Sequence, residues 1–111
     1  MRRSDPAIPA ISHLQAVALG VLLSSDQPGR VIREHLKRYG AKRTAAAFYQ
    51  MMARLERYGL VEGWYQQLQS GDQAVTERWY RVTAAGRRAW HHTRAFYESV
   101  ARTAAGRLSN A

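Results

Sequence analysis

The chain of 111 residues carries 17 Lys and Arg against 8 Asp and Glu, a formal charge of +9, with 46% apolar residues and no cysteine. This length allows one compact domain and argues against a second core, and the apolar content is that of a folded domain rather than a basic disordered tail. The missing cysteines exclude disulfides, thiol nucleophiles and zinc ribbons, while the cation excess implies an anionic partner, with nucleic acid ahead of an anionic membrane.

Residues 1–11 contain Pro6 and Pro9 and no apolar period, which predicts a loose arm. Met1, Arg2 and Arg3 imitate the start of a secretory leader, but Asp5, Pro6, Pro9, His13 and Gln15 interrupt any apolar run before Ala16. No stretch approaches the ~18 uninterrupted apolar residues of a membrane span. A cytoplasmic protein is therefore expected.

Ser12 followed by Gln15 forms a capping box, and Leu14, Val17, Ala18, Val21 and Leu22 continue at helical spacing, so a first helix is predicted to end near Ser24 or Ser25. Asp26 is a suitable cap for a second helix with Pro28 in its first turn. Val31, Ile32, Leu36 and Tyr39 supply its buried face and Gly40 its stop. Lys37, Arg38, Lys42 and Arg43 crowd the turn around Gly40. Cations before a helix oppose its dipole, so Lys42 and Arg43 point to an anion bound there.

Thr44 caps a third predicted helix, which runs to Tyr58 and stops at Gly59. Phe48, Met51, Met52, Leu55 and Tyr58 share one face, and Ala47, Gln50, Arg54 and Arg57 the other. The Ala45–Ala47 run keeps the helix slim enough for a groove. Past Gly59 the period turns to strand: 60–65 and 75–82 form a predicted hairpin with a loose tip at 69–72. Thr83 then caps a last helix from Ala84 to about Ala105. Trp90, Thr93, Tyr97, Val100 and Ala104 repeat along it at alternating steps of three and four, a coiled-coil seam. A small monomer has no room to cover such a seam, so a homodimer is expected.

Three helices, a hairpin and a long helix make an α+β fold, mainly α: a winged helix-turn-helix over residues 12–83 with a C-terminal dimerisation helix and tail over 84–111. Specific residues add to this reading. Tyr49, Leu55 and the run Gly59-Leu60-Val61-Glu62-Gly63 resemble the third helix and following strand of PadR-like transcriptional regulators. Trp79-Tyr80-Arg81-Val82-Thr83-Ala84-Ala85-Gly86-Arg87 is similar to that family's Tyr-Tyr-Arg-Leu-Thr-x-x-Gly-Arg at the wing exit. The resemblance covers about residues 14–98. Two motifs depart from it. Where the family often has His-Gly-Tyr-Glu, this chain has Pro28-Gly29-Arg30-Val31, and where it often has Gly-Thr-Leu-Tyr-Pro, this chain has Ala46-Ala47-Phe48-Tyr49-Gln50.

A slim third helix suits the major groove, where Gln50 can pair with adenine and Arg54 with guanine. Lys42, Arg43, Thr44 and Tyr49 would reach phosphates and fix the register. The resemblance places Tyr49 at the DNA face; its alternative is packing beside Phe48. Arg78 and Arg81 are the wing's candidates, diluted by Asp72 and Glu77. The expected function is a sequence-specific DNA-binding regulator, a homodimeric repressor on a palindromic operator in double-stranded DNA.

The resemblance also implies a small aromatic effector between paired C-terminal helices, at Trp90, Phe96 and Tyr97, with Val100 extending the same seam. Aromatic packing within the dimer seam explains the same residues. The alternative function is therefore a winged-helix module for protein interaction or aromatic-ligand sensing, without strong DNA sequence specificity. A third reading lays Arg87, Arg88, Arg94 and Arg102 on an anionic membrane. Enzymatic chemistry finds no support: His13, His35, His91 and His92 do not converge on a metal, and neither a nucleophile motif nor a phosphate loop is present. No cofactor is expected.

Overall fold

The computed structural model describes residues 7–110, and side chains through residue 106. The first six residues of the arm lie outside the described residues. The elements are α1 (His13–Val21), β1 (Gln27–Pro28), α2 (Gly29–Arg38), α3 (Ala45–Arg57), β2 (Val61–Ser70), β3 (Gln73–Val82) and α4 (Ala84–Asn110). Three helices pack around one core, a three-stranded antiparallel sheet flanks them in the order β1-β3-β2, and α4 runs out from the body.

The caps behave as their chemistry dictates. Ser12 Oγ accepts from the Gln15 amide at 3.1 Å while Gln15 Oε1 accepts from the Ser12 amide at 2.9 Å, closing the box that starts α1. Thr44 Oγ1 accepts from the Ala47 amide at 3.1 Å and starts α3. Gly40 and Gly59 end α2 and α3 at φ +90° and +73°, a region that side chains with a Cβ rarely enter. The core joins Ala18, Leu19 and Leu22 of α1 and its cap, Ile32 and Leu36 of α2, Phe48, Met52 and Leu55 of α3, and Val61, Tyr80 and Val82 of the sheet.

Several expectations need correcting. Helix α1 stops at Val21, short of Ser24, and Asp26 does not cap α2, whose first turn follows Pro28. Gln27 and Pro28 instead pair with Tyr80 and Trp79 as a third strand, and the Asp26 carboxylate goes to Arg81. Tyr39, expected on the buried face of α2, is 68% exposed, and Tyr58, expected on one face with Phe48 and Leu55, is 62% exposed, because each is the C-cap of its helix and the ring escapes the core. The hairpin is longer than its apolar residues suggested: pairing continues without a break from Val61↔Val82 to Ser70↔Gln73, so the tip is a two-residue turn at Gly71 and Asp72.

The last correction concerns α4. Its seam does not wait wholly for a second helix, since Trp90 is half-buried over Gly20 of α1 and Tyr97 stacks on His13 with ring centroids 6.0 Å apart. A side chain at Gly20 would place its Cβ 2.8 Å from Trp90 Nε1, so the glycine is what lets the indole lie on α1. Further along, Tyr97 is 49% and Val100 50% exposed. The 27 residues of α4 span ~40 Å at 1.5 Å per residue, and only its distal part stands clear of the body.

Candidate nucleic-acid interface

With Phe48, Met52 and Leu55 turned into the core, 3.6 residues per turn put Ala46, Gln50, Ala53 and Arg57 on the opposite side of α3, and all four are exposed. Two methyl groups alternate with one amide and one guanidinium there. Such a surface is narrow, and its polar groups are free to reach outward. Arg54 lies to one side of that line, in a groove of about 640 Å³ that it shares with Arg43, Gln50 and the Ala10–Ser12 segment. Arg57 is the residue that the sequence reading left out of the site; its place opposite Leu55 and Met52 was available from helical spacing alone.

Tyr49 takes the other flank. Its ring meets Phe48 edge-on at 5.0 Å, and it is 38% exposed, so it both packs and shows an edge. Gly29 makes room for it: a Cβ there would stand 2.9 Å from the Tyr49 hydroxyl and 3.0 Å from its Cε1. Gly29 and Tyr49 are the residues this chain keeps from the two altered motifs, and they touch.

Lys42, Arg43 and Thr44 sit where the sequence places them, before the first turn of α3. Among the described residues no carboxylate lies within 4 Å of Lys42, Arg43, Arg54 or Arg57. The wing arginines are in a different state. Arg78 Nη2 reaches both oxygens of Glu56 on α3, at 2.9 and 3.1 Å, with its guanidinium 4.7 Å from the Tyr65 ring centroid. Gly63 admits this pair, since a Cβ there would run into Glu56 Oε1 and come within 2.8 Å of Arg78 Nη2. Burial alone would pull the Arg78 guanidinium down, but the Glu56 bond and charge, with Tyr80 beside it, leave it raised. Burial pushes the Tyr80 phenol up to about 12, against the opposing pull of Arg78.

Arg81 forks onto Asp26, Nη2 to Oδ2 at 2.9 Å and Nε to Oδ1 at 3.4 Å, and lies 5.1 Å from the Trp64 ring centroid. The bond to Asp26 and its charge raise the Arg81 guanidinium. Both wing cations thus brace the fold, Arg78 tying β3 to α3 and Arg81 tying β3 to the strand before α2. The groups brought together on one outward surface are Lys42, Arg43, Gln50, Arg54 and Arg57, with Tyr49 at its edge.

The relatives agree with this architecture. The model of the transcriptional regulator PadR-like family matches residues 18–92. A PadR family regulator from Clostridium difficile R20291 is similar in structure with a TM-score of 0.71 at 15% identity, over 87% of this chain and 99% of that one. A PadR-like transcription factor from Bacteroides fragilis gives 0.68 at 17%, over 84% and 87%. Bacillus subtilis PadR, solved in complex with operator DNA, gives 0.58 at 18%, over 72% of this chain and 45% of that one. No curated protein matches the chain in sequence. The family match takes in α2, α3, the wing and the first third of α4, and by it the chain belongs to the transcriptional regulator PadR-like family.

Proposed function

We propose that this regulator binds double-stranded DNA as a homodimer, with α3 in the major groove of each half-site. The observation that carries the reading is the outward side of α3, where Gln50 and Arg57 project between alanines with Arg54 beside them, and where neither arginine has an ion pair among the described residues. Gln50 and Arg54 read base edges, with adenine and guanine as their matched partners. Lys42, Arg43, Thr44 and Tyr49 hold the backbone. The operator complex of the Bacillus subtilis relative supports the same use of the fold. Arg78 and Arg81 contribute chiefly by fixing the wing, since their guanidiniums already face carboxylates.

Exposed Tyr97 and Val100 on the distal part of α4 supply the dimer seam. A two-fold pair would address a palindromic site with half-sites about 34–36 Å apart, in the cytoplasm, and repress by competing with polymerase. An aromatic effector finds less support at Trp90, whose indole edge is already taken by Gly20 of its own chain. Selection from a random DNA pool tests the reading, repeated with Gln50→Ala and Arg54→Ala. Altered preference at one or two positions of each half-site is expected. Loss of affinity with an unchanged preferred sequence would remove both residues from base reading.

A further inference from the structure

A row of cations outside the α3 surface lies on α2. Arg30, Arg33 and Lys37 follow at three and four residue steps on one face, and with Lys42 and Arg43 from the turn they line a cleft of about 170 Å³ in which Glu34 is the lone carboxylate. This cleft adjoins the α3 surface at both ends. Arg30 also lines the neighbouring cleft that holds Tyr49 and the base of the wing, and Arg43 also lines the groove that holds Gln50 and Arg54.

Two of these cations are held in place with donors to spare. Arg30 donates only its Nε to Glu77 Oε1 of β3, at 3.0 Å, and its side chain stays 64% exposed, so its terminal nitrogens point to solvent. Arg33 Nη2 donates to the Arg43 carbonyl at 3.2 Å, which holds the α2 stripe against the turn. The wing offers nothing comparable: from Gln66 to Thr76 there is no cation and one carboxylate, Asp72.

We infer that a DNA strand runs along the α2 trough, with Arg30, Arg33 and Lys37 as phosphate contacts and Glu77 as the positioning residue for Arg30, while the distal wing adds no charge contact. The inference rests on the DNA reading above and assigns its electrostatic part. From Arg30 to Lys37 the helix rises ~10 Å, long enough for the stripe to meet more than one phosphate of the same strand. An Arg held through Nε alone keeps all four hydrogens of its two terminal nitrogens for a phosphate, whereas Arg81 gives Asp26 a terminal nitrogen as well as Nε.

The test is the slope of log affinity against log salt on one selected DNA duplex. Each phosphate contact contributes about −0.9, so Arg33→Gln with Lys37→Gln should flatten the wild-type slope by about 1.8. Gln67→Ala with Gln69→Ala should leave the slope unchanged. Thermal melting of each variant confirms that the fold is retained. An α2 variant with the wild-type slope, alongside a wild type that binds with a steep one, overturns the trough and leaves the DNA reading standing. A wild type with no slope overturns both. For Glu77, Arg30→Ala and Glu77→Gln should be non-additive in affinity, whereas strict additivity would make Glu77 a simple repulsive charge and overturn its positioning role.

Discussion

Gly86 is where the wing, the end of α3 and the start of α4 meet, and Gly86→Ala should break that junction. Thr83 organises it: its amide donates to the Leu60 carbonyl at 3.1 Å, its hydroxyl donates to the Gly59 carbonyl at 2.6 Å, and its Oγ1 accepts from the Gly86 amide at 3.0 Å. One turn into α4, Gly86 then faces the Leu60 carbonyl with no side chain between them. A methyl group there would overlap Leu60 O and lie 2.7 Å from Val82 Cγ2 and 3.1 Å from the Leu60 carbonyl carbon. Val82 can rotate away, but the Leu60 carbonyl is fixed by the bond from Thr83.

Alanine is the better helix former by roughly 0.5–1 kcal/mol, which alone would stabilise α4. Overpacking against backbone costs about 1–3 kcal/mol, and stretching the two Thr83 bonds to residues 59 and 60 about 1 kcal/mol each. The unfavourable side wins by about 2–4.5 kcal/mol, or a fall in Tm on the order of 10 °C for a chain of this size. Thr83→Ala, which loses the cap without adding bulk, should fall by about 1 kcal/mol. Circular dichroism melts at one fixed protein concentration measure both, because association of a dimer shifts Tm. If Gly86→Ala melts within about 2 °C of wild type or above it, helix propensity governs the site and the close approach to Leu60 carries no weight.

Three further outcomes are expected. In a double-mutant cycle of Glu56→Gln and Arg78→Gln, urea denaturation should show a coupling of about 1 kcal/mol, since the pair is three-quarters buried at Arg78 and also spans α3 and the wing; a coupling near zero would make it a surface contact. Tyr80 holds its proton more tightly folded than unfolded, its phenol moving from 10.0 to about 12. Its contribution is whole below pH 10 and is lost as pH rises towards 12, by about 2–3 kcal/mol, so Tyr80→Phe should lose less stability than wild type across that window. Val100→Glu should shift sedimentation from dimer to monomer without changing the melting of the winged-helix body, and an unchanged dimer would place the interface elsewhere.

The parts of the fold that were legible in the sequence are those set by local chemistry. Ser12 with Gln15, Thr44, Gly40 and Gly59 each act within one turn of themselves, so spacing alone revealed them. What escaped is set by partners far along the chain. Asp26 looks like a helix cap until Arg81, 55 residues away, claims its carboxylate, and a two-residue strand at Gln27 and Pro28 has no periodicity to read. Glycine was the hardest residue to interpret for the same reason. Gly29, Gly63 and Gly86 punctuate nothing; each is small so that Tyr49, the Glu56–Arg78 pair or the Leu60 carbonyl can approach.

The site divides along the same line. Outward residues of α3 follow from helical spacing, which is why Gln50, Arg54 and also Arg57 fall on one side from the sequence alone. The state of a cation does not follow from spacing. Nothing beside Arg30, Arg78 or Arg81 in sequence reveals that Arg78 gives Nη2 to both oxygens of Glu56 and Arg81 gives Nε and Nη2 to Asp26, while Arg30 gives Glu77 only its Nε and keeps its terminal nitrogens exposed. A count of +9 therefore overstates what is free to meet an anion, and among the described residues of α2, α3, the turn between them and the wing, the cations without a carboxylate partner lie on the helices and the turn rather than on the wing. That asymmetry makes the salt slope, and not the affinity at any one salt concentration, the measurement that separates a recognition helix with a basic flank from a basic protein that adheres to DNA everywhere.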